Sequence, residues 1–412
     1  MKILVLNSGS SSQKSSLFEM GPGIPEAPVD PLWEASVDWS GERAEIRVKN
    51  SLGATFHGEA RADGRRQAVE RMLETLCRGP TRVIAAPTEI GVVGHRIVHG
   101  GRQYTEPTIV TRQVRTALAD LSLIAPLHNR AELEGMEIVS KMFGAVPQVA
   151  VFDTSFHSHL PRAAAVYPGP YEWFEQGIQR YGFHGINHQY CAARAAQLLG
   201  KDLASLRLVT CHLGNGCSLA AIRGGRSVDT TMGFTPLEGL MMGTRSGSLD
   251  PGILTYLLRR ANLTAQELDE MLNHRSGLLG ISGISSDMRD ILAARREGNE
   301  RAELAFEIYV HRIRFFVGAM VTVLGGVDAI VFTAGVGENS PEVREATCAN
   351  LGFLGLRLDE SKNAQSPLEE DIARPDSAVR VLIVRAREDW AIARECWRLA
   401  SSEPAAAPPE IL

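Results

Sequence analysis

The sequence predicts an α/β fold built from two similar domains. Strand-like runs rich in β-branched residues, such as VAVFDTSF and AIVFTAGVG, alternate with helical runs such as NRAELEGMEIVSKMF and RAELAFEIYVHRIRFFVG. This alternation is typical of α/β proteins. A hairpin pattern also occurs twice, about half a chain apart: ILVLNSGSSSQKSSLF starts at Ile3 and LVTCHLGNGCSLAAI starts at Leu208. We therefore predict a duplicated α/β fold with one hairpin in each domain.

Length and composition restrict the class of protein. A chain of 412 residues is long enough for two or three domains. The net charge of −5 argues against a nucleic-acid-binding surface spread over the molecule. No apolar run is long enough to span a bilayer and the first residues lack a signal-peptide pattern, so we expect a cytoplasmic protein without membrane contact. The scattered cysteines indicate reduced thiols in the core.

Three stretches interrupt the alternation. Between Leu17 and His57 the apolar pattern is short and broken by prolines, and we expect an irregular, hairpin-rich insertion. The stretch LPRAAAVYPGPYEWFEQGIQRY, residues 160–181, is predicted to be loop-rich and is a candidate hinge or lid. The tail SSEPAAAPPEIL, residues 401–412, is rich in Pro and Ala, and we expect it to be disordered.

Both hairpin turns have the composition of an anion-binding loop. Gly and Ser expose backbone N–H groups and let a phosphate come close, while Asn7 and Asn215 add polar contacts and Lys14 adds a positive charge. One such turn alone is compatible with an ordinary hairpin, but two copies favour phosphate binding. Neither matches G-x-x-x-x-G-K-[ST] or G-x-G-x-x-G, so P-loop and Rossmann sites have no support. We predict two facing domains, each holding one side of a nucleotide's phosphate tail.

A third glycine-rich segment, TAGVGENSPEVRE, follows the strand-like AIVF. We predict a turn that ends a strand and begins a helix, with Ser340 as N-cap and Pro341 as first helical residue. Such a turn suits the ribose, adenine or phosphates of a nucleotide. A plain strand-to-helix connection has the same pattern.

Nine motifs resemble those of the acetate kinase family: LNSGSSSQK, GHRIVHGG, APLHN, VFDTSFH, RYGFHG, CHLGNGCS, TMGFTPLEGLMMGTRSG, ISGISSDMRD and FTAGVGEN. They follow the family's order from Met1 to about Ala400. The resemblance implies the duplicated actin/ribonuclease H-like two-domain fold, with the active-site cleft between the domains, and a homodimer. It implies an N-terminal domain of residues 1–153 with a returning helix at 388–400, and a nucleotide-binding domain of residues 154–387.

The resemblance also implies an activity. The family transfers the γ-phosphoryl group of ATP reversibly to acetate, giving acetyl phosphate and ADP by in-line attack of the carboxylate. Because both reactants are negative, cations must surround the transferring group. By motif, Arg96 is implied to hold the substrate, and His184 and Arg245 to stabilise the transition state. Asp153 matches a proton-handling or metal-associated position. Since a carboxylic acid is already ionised at neutral pH, we expect Asp153 to orient Mg²⁺ or its waters.

Mg²⁺, with Mn²⁺ as a substitute, is the implied cofactor, and the matching metal positions are Asn7 and Glu388. The sequence departs from the family here, because it reads VRAREDW where a PTNEE-like stretch is common. Arg385 and Arg387 could pair with Glu388 and weaken metal binding. We expect Asp389 to point elsewhere, as an adjacent residue at a helix start.

Further residues are implied for ATP and for the acetate methyl group. The ATP positions are Lys14, His212, Leu213, Gly214, Asn215, Gly216, Asp287, Met288, Arg289, Gly335, Val336, Gly337, Glu338 and Asn339. Met288 stands where an aromatic residue is frequent and could pack on the adenine face. The methyl-pocket positions are all apolar: Val98, Leu127, Phe183 and Pro236. A methylene contributes little to discrimination, so we expect propionate to be a poorer substrate and not an excluded one.

Other functions stay open at this level. A kinase that prefers propionate or another short-chain acid, or one that uses pyrophosphate, would share most of these motifs. A non-enzymatic module switched by ATP would use the same hairpins, although it would not need Arg96 and Arg245 together. The GVGEN segment favours ATP over pyrophosphate.

Overall fold

The computed structural model describes residues 1–9, 12–39, 43–61, 64–121, 126–260 and 263–402, and the side chains of residues 61, 126–130 and 402 lie outside this description. It forms two compact units. The first contains Met1–Ser155 and the chain from Arg387 onward, and the second contains Phe156–Ala386. Over the described ranges, no helix combines the length and the apolar character that crossing a membrane requires.

Strands and helices alternate along the chain. The strands are β1 (Lys2–Ser8), β2 (Ser12–Glu19), β3 (Trp33–Asp38), β4 (Arg43–Asn50), β5 (Thr55–Arg61), β6 (Ile90–Ile97), β7 (Thr108–Ile109), β8 (Gln148–Phe152), β9 (Arg207–Leu213), β10 (Cys217–Arg223), β11 (Arg226–Thr230), β12 (Ala329–Thr333), β13 (Glu370–Asp371) and β14 (Arg380–Ile383). The α-helices are α1 (Arg65–Glu74), α2 (Arg112–Leu121), α3 (Pro126–Phe143), α4 (Arg162–Ala165), α5 (Tyr171–Glu175), α6 (Gly185–Leu199), α7 (Pro251–Arg260), α8 (Ala265–His274), α9 (Gly277–Ser282), α10 (Met288–Arg296), α11 (Glu300–Leu324), α12 (Ala334–Asn339), α13 (Pro341–Cys348), α14 (Glu360–Gln365) and α15 (Glu388–Ser402).

The two units contain sheets with the same central topology. The first sheet has the strand order β5-β4-β3-β2-β1-β6-β8-β7 and the second has the order β11-β10-β9-β12-β14-β13. In the first, β1 to β3 are antiparallel neighbours and β1, β6 and β8 are parallel. In the second, β9 to β11 are antiparallel and β9, β12 and β14 are parallel. The predicted duplication is confirmed, and the hairpins β1–β2 and β9–β10 occupy equivalent positions.

The segment predicted to be an irregular insertion is mostly regular sheet. Strands β3, β4 and β5 extend the edge of β2 as antiparallel strands. Strand β4 reads RAEIRVKN and alternate residues of it are buried, as expected for a sheet with one covered face. The expectation of hairpins is confirmed, but that of irregularity is wrong for the residues of β3, β4 and β5. The prolines lie in this connection and not inside the strands, where they would remove ladder hydrogen bonds.

Each sheet is covered by helices that complete a core. In the first unit, Trp33, Ile46, Met72 and Val139 belong to one buried cluster formed by the sheet, α1 and α3. Helix α15 packs on β1 and β6 of the same unit. Gly94 allows this approach, since a Cβ there would lie 2.5 Å from the sulfur of a cysteine on α15. All six cysteines are free and all but one are buried, which confirms the prediction of packed thiols.

The remaining segment predictions have mixed outcomes. Residues 160–181 contain only the short helices α4 and α5, so the loop-rich prediction is confirmed. Ser340 caps α13 by accepting a hydrogen bond from the Val343 N–H, and Pro341 opens the helix, as predicted. The GVGEN segment forms α12 and is not a turn; it starts at Ala334, whose φ is 64°. In the predicted disordered tail, residues 401 and 402 end α15 instead, and residues 403–412 lie outside the described residues.

Candidate active site

In the first unit, three predicted residues meet at the carboxyl ends of parallel strands. Asn7 lies near the end of β1, Arg96 near the end of β6, and Asp153 directly follows β8. Arg96 donates through Nη2 to an Asp153 carboxylate oxygen and through Nη1 to Asn7 Oδ1, at 3.3 Å for the second bond. Burial opposes the Arg96 charge, but Asp153 and Glu388 raise its pKa above the usual value. The guanidinium is therefore a permanent cation at this edge of the sheet.

The first turn of α15 brings two carboxylates to the same place. The Asn7 Nδ2 group donates to Glu388 Oε2 and to Asp389 Oδ1, both at 3.1 Å. Ser16 Oγ donates to the second Asp389 oxygen at 2.6 Å. The expectation that Asp389 points elsewhere is therefore wrong. Glu388 and Asp389 both lie in the first turn of α15, and their carboxylates accept hydrogen bonds from the same Asn7 amide. Burial raises the pKa of Asp389.

This donor set fits Mg²⁺ in the way the ion usually binds. Mg²⁺ is held by one or two carboxylates and keeps several waters, so it does not need a closed protein cage. Within the described ranges, no three or more His, Cys, Asp or Glu side chains are grouped so as to hold a metal. The Asn7 amide oxygen accepts from Arg96, and its nitrogen donates to the carboxylates. In this arrangement Asn7 orients the carboxylates through its nitrogen, and its oxygen already accepts from a guanidinium. Arg387, one of the two arginines that the sequence suggested could pair with Glu388, forms an ion pair with Asp30 at 3.4 Å.

Val98 follows β6 and is tied to a carboxyl that the motif analysis missed. The Val98 N–H donates to Glu132 Oε1 at 3.0 Å. Glu132 lies on α3, is only 2% exposed, and burial raises the pKa of its carboxyl to about 8. Val98 is 4% exposed, consistent with a pocket wall. The side chain of Leu127, the other predicted wall residue of this unit, lies outside the described residues.

Lys14 lies on β2 directly opposite Asn7 in the β1–β2 register. Its side chain is exposed. With Ser16 and Asp389 it lines part of a shallow cavity of about 340 Å³ on the open face of the sheet. The lysine is thus close to the carboxylates of α15 and can offer its charge to an anion there.

In the second unit, His184 precedes α6 in a left-handed backbone conformation. Its φ is 58°, which is uncommon for a residue other than glycine and is concentrated at functional positions. His184 Nδ1 lies 2.8 Å from Ser218 Oγ. The ring also stacks on His212, with centroids 3.9 Å apart and planes 11° apart. The imidazole is therefore held both at one edge and on one face.

Arg245 and His184 converge on Gly216, in the turn between β9 and β10. A Cβ built on Gly216 would lie 2.9 Å from Arg245 Nη2 and 3.4 Å from His184 Nε2. Arg245 Nη1 also donates to the carbonyl oxygen of Pro236 at 2.6 Å, which places that predicted pocket residue beside it. Burial lowers the pKa of Arg245. Two groups able to donate to an anion thus share one glycine turn, an arrangement suited to phosphoryl oxygens.

The predicted ATP segments of this unit pack around the same hairpin. A Cβ on Gly243 would lie 2.1 Å from Asn215 Oδ1 and 3.0 Å from the Ser286 carbonyl oxygen, next to the start of α10. A Cβ on Gly337 would lie 3.5 Å from the carbonyl oxygen of Cys211 on β9. Glu338 does not project outward, because its Oε1 accepts the N–H groups of Ala334 and Ala386 at 2.9 and 2.8 Å.

Not every predicted ATP residue offers its side chain. Leu213 is fully buried, so only its backbone could contact a nucleotide. Met288 is 3% exposed, and its packing on an adenine face stays a prediction. Asp287 caps α10 and pairs with Arg289 at 2.5 Å, and the Arg289 side chain is 89% exposed. Phe183 is 2% exposed and lies next to His184.

Several buried polar residues of the two units were missed by motif reasoning. A glutamate on a helix is usually exposed. Glu132, however, lies one turn before the buried Met136 and on the same helix face, a spacing that could have predicted its burial. Ser218 and His188 lie inside or next to quoted motifs, and both are fully buried. Asp389 directly follows Glu388, which the motifs predicted to bind the metal.

Comparisons with known proteins cover nearly the whole chain. Residues 2–394 match the model of the Acetokinase family. An acetate kinase of Cyanothece sp. is 59% identical over 401 residues, which cover 97% of this chain and 98% of that protein. The crystal structure of Porphyromonas gingivalis acetate kinase matches with a TM-score of 0.87 at 40% identity and covers 97% of this chain and 99% of that one. A propionate kinase from Francisella tularensis subsp. tularensis also matches with a TM-score of 0.87, at 34% identity, over 96% and 99% of the two chains.

Proposed function

The chain belongs to the acetokinase family and has the phosphotransferase activity of an acetate kinase, and on that premise we propose how its residues divide the reaction. ATP donates its γ-phosphoryl group to acetate, reversibly, and the products are acetyl phosphate and ADP. The observation that carries the proposal is the convergence of Arg245 and His184 on Gly216, at 2.9 and 3.4 Å from its Cβ position. A cation and an imidazole at one phosphate-binding turn match the charge that develops on a transferring phosphoryl group.

The first unit is proposed to hold acetate. Arg96 is a permanent cation whose guanidinium is oriented by Asp153 and Asn7. Its planar fork suits a carboxylate, and the attack needs no general base because acetate is already ionised near neutral pH. Val98, 4% exposed directly after β6, is proposed as a wall of this unit for the methyl group.

The second unit is proposed to hold ATP through the hairpin residues His212–Gly216, the start of α10 and helix α12. The hairpin supplies backbone N–H groups and little side-chain bulk, so phosphates can approach closely. Arg245 and His184 then donate to the oxygens of the transferring group. Neither has to give up a proton for the reaction to proceed.

Mg²⁺, or Mn²⁺ in its place, is proposed to bind Glu388 and Asp389 directly or through water, with Asp153 able to orient the waters. The ion neutralises phosphate charge when it is bound. Asn7 is proposed as the residue that holds the two carboxylates in position, since both accept from its amide at 3.1 Å.

A kinase preferring propionate is the second candidate, favoured by the likeness to the Francisella tularensis propionate kinase at 34% identity. A coupled assay that offers acetate, propionate and butyrate, each with ATP and with pyrophosphate, separates the candidates. We expect turnover with ATP, and a higher kcat/KM for acetate than for propionate. A preference for propionate would replace the proposed substrate. ATP binding without phosphorylation of any acid would instead support an ATP-switched module.

We also propose that the enzyme is a cytoplasmic homodimer. Free cysteines at every cysteine position support a reducing compartment. Ile253 and Tyr256 on α7 are 43% and 61% exposed, and exposed apolar residues on one helix support an interface with a second copy. Sedimentation velocity measures the oligomeric state directly.

A further inference from the structure

A buried chain of hydrogen bonds runs behind His184. Ser218 Oγ lies 2.8 Å from His184 Nδ1 and 2.8 Å from His188 Nε2. The other ring nitrogen of His188, Nδ1, lies 2.7 Å from Thr210 Oγ1. Ser218, His188 and Thr210 are all 0% exposed. Water therefore cannot replace any of these partners, and the donors and acceptors of the chain have to match.

The protonation state of His188 makes the chain directional. Burial lowers the pKa of His188 well below its usual value, so the ring is neutral and carries one N–H proton. A neutral imidazole donates at one nitrogen and accepts at the other. Three arrangements remain. In one, His188 and His184 both donate to Ser218, which leaves the Ser218 hydroxyl hydrogen buried without an acceptor and is unfavourable. The other two run in a single direction. Either Thr210 donates to His188, His188 to Ser218 and Ser218 to His184 Nδ1, or every bond is reversed.

Thr210 decides between the two directions. Throughout the described part of the chain, the only hydrogen-bond partner of Thr210 Oγ1 is His188 Nδ1. If His188 donated to Thr210, the threonine hydroxyl hydrogen would be buried without an acceptor, which is unfavourable. If Thr210 donates, every group in the chain is satisfied. The chain then ends with the Ser218 hydroxyl donating to His184 Nδ1.

A donor at Nδ1 determines where a neutral His184 carries its proton. Nδ1 must be the unprotonated nitrogen, so the proton is on Nε2. Nε2 is the atom that approaches Gly216 within 3.4 Å of its Cβ position, on the side shared with Arg245. A neutral imidazole with this tautomer donates a hydrogen bond toward the glycine turn, and the other tautomer would face it with a lone pair.

We propose that Ser218, His188 and Thr210 are positioning residues that hold His184 as the Nε2–H tautomer, so that it donates to the transferring phosphoryl group. This inference rests on the role proposed for His184 above. It explains why a polar chain is buried behind the residue. Ser218 touches no reacting atom, and its effect on the rate is expected to pass entirely through the orientation and tautomer of His184.

The test compares Ser218→Ala in two backgrounds. In the native enzyme we expect kcat to fall about tenfold, the size of one net hydrogen bond, with KM for ATP and acetate within about twofold. Ser218→Thr retains the hydroxyl and should restore most of kcat. In a His184→Gln background, Ser218→Ala should change kcat little further, because the positioned imidazole is already absent. An equal loss in both backgrounds would overturn the inference.

Ser227→Ala is a matched control. Its hydroxyl lies 2.7 Å from His157 Nδ1, so the variant also removes a buried serine–histidine bond, but one that does not join the chain to His184. We expect its kcat to stay within about twofold of the native value. A loss as large as that of Ser218→Ala would mean that buried serine–histidine bonds act only through general stability, and would overturn the inference.

Long-range ¹H–¹⁵N NMR of the ¹⁵N-histidine-labelled enzyme gives a readout without turnover. The signal that disappears in His184→Gln should show a protonated Nε2 and an unprotonated Nδ1. A protonated Nδ1 in the neutral ring would overturn the tautomer assignment. If His184→Gln alone keeps the native kcat while the tautomer is as expected, the proposed catalytic role of His184 has failed, and the positioning chain still stands as structure.

Discussion

Replacing Glu132 by Gln should make the first unit more stable, by an amount that grows with pH. Gln keeps the shape of the side chain and an oxygen that can accept the Val98 N–H, now 3.0 Å from Glu132 Oε1. It removes the ionisable carboxyl. Because Glu132 is 2% exposed, burial raises its pKa from 4.5 to about 8, while the Val98 N–H and Arg96 act in the opposite direction.

The sign follows from the proton count. Between pH 4.5 and about 8 the folded protein keeps the Glu132 proton, whereas the unfolded chain has released it. Unfolding then releases a proton, so the free energy of unfolding contributed by this group falls as pH rises. The slope is about 1.4 kcal/mol per pH unit. Summed over the interval, the variant should gain about 5 kcal/mol relative to the native protein by about pH 8, and nothing below about pH 4.

Urea unfolding at several pH values from 5 to 8, followed by tryptophan fluorescence, measures this difference. Four of the five tryptophans, Trp33, Trp39, Trp390 and Trp397, belong to the first unit, so the signal reports mainly on its unfolding. Glu137→Gln is the control, since the Glu137 side chain on the same helix is 60% exposed and its pairing with Arg66 at 2.6 Å contributes little. A difference between Glu132→Gln and native protein that stays constant from pH 5 to 8 would refute the reasoning.

The other predictions concern the proposed reaction. Arg245→Ala should lower kcat by about a hundredfold or more and leave KM for acetate nearly unchanged, because it acts on charge that develops in the transition state. Val98→Ala should raise the propionate-to-acetate ratio of kcat/KM several-fold in the coupled assay, because it enlarges the pocket wall. Glu388→Ala and Asp389→Ala should both raise the Mg²⁺ concentration for half-maximal rate, since both carboxylates accept from Asn7 at 3.1 Å.

Each of these expectations has a contrary result. A native kcat in Arg245→Ala would remove the guanidinium from the transition state. An unchanged or lower propionate ratio in Val98→Ala would remove Val98 from the wall. A lowered melting temperature with an unshifted Mg²⁺ titration in both carboxylate variants would make Glu388 and Asp389 structural hydrogen-bond partners.

The sequence by itself determined the architecture and most of the named residues. The repeated strand–turn–strand pattern around Asn7 and Asn215 predicted the duplication, because hairpins and strand-to-helix boundaries depend on interactions between near neighbours. The cap at Ser340 was predictable for the same reason. Motif order was enough to indicate the family, since it is read from short segments one at a time.

Only the tertiary structure decided which side chains meet. Asn7 and Glu388 are separated by 381 positions, and no local pattern shows that Asp389 joins them at the same distance. The alternation in β4 became a strand because β3 and β5 pair with its two edges and α1 packs on its apolar face, and the nearby prolines obscured this. Glu132 and Ser218 look ordinary in sequence. Burial raises the pKa of the Glu132 carboxyl, and it requires the Ser218 hydroxyl to be hydrogen-bonded. Burial is a property of the packed chain.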